Sequence, residues 1–165
     1  MLLSAQDIFK MRHLIIIFFL VISANSQAQT YKREFAEKLS KSYNFIESYP
    51  IWLELANEAQ VMDTHIVRSL ITAAYESEQY ASALEWSMKF TAQSKEAISK
   101  DFCLQLQLLQ LTNQGSKREA TIKEGLKRFP SDADLLRWDN QLGQILSSAN
   151  ISSEYTIKLF RSSET

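Results

Sequence analysis

The sequence predicts an all-α chain, an antiparallel helix-pair solenoid of about eight helices, and three observations carry that reading. Only 3 Gly and 2 Pro occur in 165 residues. That is too few positive-φ and Pro-bent turns for a sandwich of many short strands. Apolar residues recur at three- and four-residue spacing along most of the chain, the period of a helix with one buried face. Helix–turn–helix units also return every 33 to 35 residues or so, the period of stacked helical pairs. With 45% hydrophobic and 22% charged residues, the composition is that of an ordinary folded chain, long enough for one domain.

The first stretch reads as an address. Met11-Arg12-His13 precedes the apolar run Leu14 to Ile22, a basic start and a run too short to span a bilayer. Ser26-Gln27-Ala28 then places small residues at −3 and −1 of a cleavage site. Residues 1–28 are expected to be a signal peptide cut after Ala28, with Met11 as the true start. The mature chain would be exported, periplasmic or secreted, with no stable membrane span. No Cys ends the apolar run, so a lipid anchor is not expected.

The repeat domain is expected over 29–149. Tyr31 to Ser48 reads as its first helix, with Phe35, Leu39 and Phe45-Ile46 inward and Tyr31, Ala36 and Tyr43 in support, broken at Tyr49-Pro50. Pro50 would open the second helix, to Val61, because the first helical N–H needs no partner. Asp63 is placed to cap the third, His65 to Ser77, which buries Ile66, Leu70, Ala73 and Ala74. Tyr80 to Ala92 follows, with Ala83, Leu84, Met88 and Trp86 packing. The fifth helix, Lys95 to Asn113, is apolar almost all round and belongs mid-stack. Gly115 would close it. Ser116-Lys-Arg-Glu119 reads as a capping box for the sixth, which stops at Pro130. Ser131-Asp-Ala-Asp134 reads as another, for a seventh helix carrying Leu135, Trp138, Leu142 and Ile145. Residues 150–165 would form a capping helix and tail carrying Tyr155, Leu159 and Phe160, which either fold back on Trp138 and Leu142 or stay exposed for something else to cover.

One unit is more specific than periodicity. In Leu70-Ile-Thr-Ala-Ala-Tyr75-Glu-Ser-Glu-Gln-Tyr80-Ala-Ser-Ala83-Leu-Glu-Trp86, large residues lead and Tyr75 ends a helix. Tyr80 then opens the next, and a small residue follows three later. Gly125-Leu-Lys-Arg-Phe-Pro130 ends its own unit with a small residue and a Pro. These segments resemble the tetratricopeptide repeat. The resemblance covers about Tyr31 to Leu146, with specific matches over roughly 65 residues. It departs at Ser77-Glu78-Gln79, which lacks a turn Gly, and at Arg118, near a position usually small.

Chemistry narrows the function. A net charge of −1 and the lack of a basic stripe give no reason to expect nucleic acid. One Cys and two His cannot supply a zinc set, and no phosphate loop or nucleophile elbow is present. Neither cofactor, metal nor catalysis is expected. Glu76, Glu78 and Glu85 have no reason to converge. Cys103 is expected to pack in the core.

The resemblance implies a protein or peptide partner held on a concave face lined by the first helix of each pair. That face would include His65, Arg68, Thr72 and Tyr75, with Gln105, Gln107, Gln110 and Gln114 from the fifth helix. The alternative is a structural, non-catalytic piece of an envelope assembly.

Overall fold

A computed structural model describes residues 27–145. The expected signal run and the expected eighth helix lie outside them. Within them are seven α-helices and no strand: α1 over 27–41, α2 Phe45–Glu58, α3 Thr64–Glu76, α4 Tyr80–Gln93, α5 Ser99–Leu111, α6 Arg118–Arg128 and α7 over 133–145. The chain divides into two compact units, one ending at Glu78 and one starting at Gln79.

A single device ends α1, α3 and α5. Tyr43, Glu78 and Asn113 have φ of 58°, 62° and 56°, a left-handed step that lets the chain reverse after a helix. Asn44 N–H donates to Leu39 O at 2.9 Å and Gln114 N–H to Leu109 O at 2.8 Å, satisfying carbonyls that the helix leaves without donors. The three residues stand at intervals of 35, as do the starts of α2 and α4 and those of α3 and α5. Burial keeps the same step. Ala36, Ile71 and Leu106 are buried, and so are Trp52, Ser87 and Ile122, and Leu55, Phe90 and Gly125.

This register corrects several element boundaries. The first predicted helix is two, because Tyr43 takes the left-handed turn and α2 starts at Phe45. Pro50 therefore lies inside α2 instead of opening it. Its missing N–H frees the carbonyl of Ile46, which is 78% exposed, so water can take that bond. Phe35 and Ile46, expected inward, are exposed, as are Tyr31 and Tyr43, expected to support them; Ala36, the third supporting position, is buried. Asn113, not Gly115, closes α5. The Ser116–Glu119 capping box does not form: Gly115–Lys117 is a short 3-10 turn and α6 has no side-chain cap. At α7 the cap is Asp132, whose Oδ1 accepts from Asp134 and Leu135 N–H at 3.1 Å each. Asp63 caps α3 as expected, its Oδ1 accepting from His65 and Ile66 N–H at 2.8 and 3.0 Å.

In the first unit α2 and α3 pack closely around Trp52, Leu55, Val67 and Leu70. The Trp52 indole N–H donates to Ser40 Oγ of α1 at 3.0 Å, so a buried polar handle is satisfied. In the second unit α5 touches both α4 and α6 and buries Phe102, Leu106, Leu108 and Leu109, the mid-stack position its sequence predicts. Gly125 is the point of closest approach. A Cβ there would lie 3.2 Å from both Leu135 methyls and 3.3 Å from the Phe102 ring, so only Gly fits without displacement.

Candidate partner-binding faces

In the first unit, α3 is two-sided. His65, Arg68, Thr72 and Tyr75 follow spacings of three, four and three, which is one side of a helix. His65 and Thr72 are exposed, and Arg68 and Tyr75 are half-buried. Val67, Leu70, Ile71 and Ala74 hold the other side in the core. The His65 ring meets Trp52 edge-on at 5.8 Å, and its Nε2 lies 3.8 Å from the Glu37 carboxylate. Glu37 also faces Arg33 at 3.5 Å and Lys41 at 3.9 Å, and Arg33 reaches Asp63 at 3.7 Å. The sequence-predicted side chains of α3 therefore do share one face, with a chain of charges beside His65.

In the second unit the expected glutamine set divides. Gln107 and Gln110 are exposed on α5, three residues apart and so on one side. Gln114 lies past the helix end, half-buried, in the turn. Gln105 points elsewhere: it is buried, two residues from Gln107 and therefore on the opposite side of the helix. Its Oε1 accepts from Thr91 Oγ1 at 2.7 Å, and its Nε2 donates to Thr121 Oγ1 at 3.4 Å. It ties α5 to α4 and α6. The 35-residue step puts Gln105 in the place of Leu70, which is fully buried; that period is the signal that would have separated it from the surface glutamines.

Two clefts of the second unit contain residues that sequence reasoning left out. One, about 420 Å³, opens over Thr91, Phe102, Gln105, Thr121, Glu124 and Arg128. Arg128 closes its end. Its Nη1 donates to Thr91 O at 3.0 Å, and its Nη2 to Ser94 O and Ala97 O at 3.2 Å each. These carbonyls terminate α4 and follow it, so a cation sits where the helix dipole is negative. The guanidinium also lies over the rings of Phe102 and Phe129, 5.4 and 5.6 Å from their centres. The other cleft, about 80 Å³, is formed by Gln110 of α5, Arg118 and Ile122 of α6, and Trp138, Gln141, Leu142 and Ile145 of α7.

Cys103 is half-buried instead of fully packed. Burial pushes its thiol up from 9.0 to about 11, with the carboxylates of Asp132 and Asp134 adding to the effect. Little thiolate exists at neutral pH, so the group is a poor nucleophile. Among the described residues, no helix is long and apolar enough to cross a membrane, and no group of three or more His, Cys, Asp or Glu could hold a metal ion.

Comparison with protein-family models, with curated proteins and with solved structures finds no match.

Proposed function

We propose that this chain is an exported, tetratricopeptide-like scaffold that binds a protein or peptide partner and performs no chemistry on it. The observation that carries the reading is the two-sidedness of α3. Its apolar side is spent on the core, while His65, Arg68, Thr72 and Tyr75 share the other. Arg and His can meet carboxylates, Tyr gives a rigid contact at low entropic cost, and amides such as Gln107 and Gln110 offer both donor and acceptor to a peptide backbone. The 35-residue step supports the repeat resemblance, since it relates Thr72 to Gln107 and Tyr75 to Gln110. The faces named in the two units are thus the same position of successive pairs. Export rests on the segment from Met11 to Ala28, and N-terminal sequencing of the mature chain tests it.

The binding test is quantitative pull-down from an envelope extract, read by mass spectrometry. Arg68→Ala combined with Tyr75→Ala should weaken capture of a specific partner roughly 30-fold, the scale of losing one strong anchor, with an unchanged circular dichroism melt. Equal capture by the double variant would remove α3 from the binding face.

A second reading, a structural piece of an envelope assembly, is favoured by α7, which leaves Leu136 41% and Ile145 53% exposed. Light scattering of the purified mature chain separates the two. A stable oligomer that is abolished by Ile145→Ser favours assembly, and a monomer favours the free scaffold.

A further inference from the structure

We infer that the small cleft between α5, α6 and α7 is an acidic-residue pocket, which receives an Asp or Glu side chain of an extended partner segment with an apolar neighbour. This rests on the scaffold reading and adds the chemistry of what is bound. The first observation is a buried donor without an acceptor: Arg118 Nε–H is shut off from solvent and makes no hydrogen bond. Native interiors rarely leave such a group unsatisfied, because the desolvation cost goes uncompensated. No ion pair or hydrogen bond engages the Arg118 guanidinium among the described residues. Arg118 lines a cleft whose other walls are apolar or amide: Ile122, Trp138, Leu142 and Ile145, with Gln110 and Gln141.

The second observation is that Arg118 breaks the repeat. Stepping by 35 residues, its equivalents are Ser48 and Ala83, both fully buried and small. The ring positions Phe45 and Tyr80 correspond to Gly115. Gly115 does not have a positive φ, so the turn does not require it. What it provides is space: a Cβ there would lie 3.3 Å from Arg118 Nη2 and 3.6 Å from Nε. Large and small have exchanged places in this unit alone. A guanidinium is accommodated where the other units pack a small side chain, and α6 starts three residues late behind a 3-10 turn.

The shape selects the ligand. About 80 Å³ holds a carboxylate or a small part of a side chain, not a whole peptide. Gln110 stands at the rim, with Gln107 exposed on the same side of α5. Their amides can pair with main chain passing over them, which suits a residue inside a strand of peptide better than a chain end. Half-exposed Ile145 and the Trp138 ring give an apolar neighbour something to cover. A charge-assisted bond from a guanidinium to a carboxylate is about twice as strong as a neutral one, so a cleft lined by Arg118 favours Glu or Asp over Gln or Asn.

The test uses the mature chain and NMR of the arginine Nε–Hε and tryptophan indole groups. The probe is an acetylated, amidated peptide of sequence Ser-Leu-Glu-Ser-Ser, alongside its Leu-Gln counterpart and a Glu-free version with a free C-terminus. The Leu-Glu peptide should shift the Arg118 Nε–Hε and Trp138 signals saturably. Binding should be at least tenfold weaker for the Leu-Gln peptide, for Arg118→Gln, and for Arg118→Lys, which keeps the charge and loses the planar fork of donors. Equal shifts with Glu and Gln, or no Arg118 response, would overturn the pocket and leave it a hydrated crevice. Tighter binding of the free C-terminus would overturn the assignment to a side chain. The scaffold reading fails separately: the Arg68/Tyr75 double variant tests it without touching Arg118.

Discussion

The two units handle their polar groups in opposite ways. In the unit ending at Glu78, charge stays at the rim. Lys32 Nζ sits 2.7 Å from Glu54 and 3.3 Å from Glu58, and Arg33, Glu37, Lys41, Asp63 and His65 form a partly exposed string. In the unit starting at Gln79, polarity runs through the interior. The buried Thr91, Gln105 and Thr121 link α4, α5 and α6, and Arg128 ties the end of α4 to α6. Exposed ion pairs contribute little, because water already solvates both partners. Interior polar groups are expensive to strand. Substitutions of the rim charges should therefore be tolerated in the first unit and substitutions of the interior polar groups resisted in the second, except where the chain itself supplies a substitute partner.

Arg128→Met is expected to be the largest effect. It leaves the Thr91, Ser94 and Ala97 carbonyls without their donor and should cost about 3 kcal/mol by urea denaturation, the scale of losing hydrogen bonds to a charged group. A loss no larger than that of an exposed ion pair would erase the contrast between the units. Next comes Asp63→Ala in the first unit. Its carboxylate accepts two orphan N–H groups of α3, and losing such a cap costs about 1 kcal/mol. This is the exception that sharpens the rule: the residue matters through backbone donors rather than through its ion pair with Arg33. Asp63→Asn should accordingly retain most of the stability, because the amide oxygen still accepts.

Gln105→Leu is a finer test. Thr91 Oγ1 lies 3.0 Å from Ser87 O, so its hydroxyl can turn to a carbonyl of its own helix, and Thr121 Oγ1 already donates to Lys117 O at 3.1 Å. An apolar residue of similar volume should change stability by less than about 1 kcal/mol and leave partner capture intact. A loss of capture would restore Gln105 to the binding face despite its burial.

The same residue shows what the sequence could reveal. Helix existence was readable from the three- and four-residue spacing, and so were the Asp63 cap and the mid-stack place of α5. Boundaries failed where local chemistry spoke against the structure. Tyr43 adopts a left-handed φ normally left to Gly or Asn, and Pro50 looked like a start although α2 already runs through it; the turn at Glu78, equally left-handed, was read where it lies. In each case the 35-residue register prevails over local preference, since burying Trp52, Leu55 and Ser48 fixes where α2 must lie. The α3 face was legible because spacing alone defines a helix side. Arg118 was visible only as a departure from the repeat. That it lacks an acceptor depends on how α5, α6 and α7 close around it, and no spacing reveals that.

The smallest effect belongs to Lys32→Ala. Hydrogen bonding to Glu54 raises the Lys32 ammonium above its ordinary 10.5, with Glu58 contributing and partial desolvation opposing. A raised lysine pKa means that the pairing supports the fold fully below the unfolded value and is lost as pH rises through the folded one. At pH 7 the support is therefore complete, yet it amounts to an exposed pair in water and is screened further by salt. Denaturation midpoints of Lys32→Ala and the parent should coincide within error at neutral pH, at both low and high salt. A clear loss confined to low salt would mean that the rim charges act as a network, and the first unit would then depend on its polar groups much as the second does.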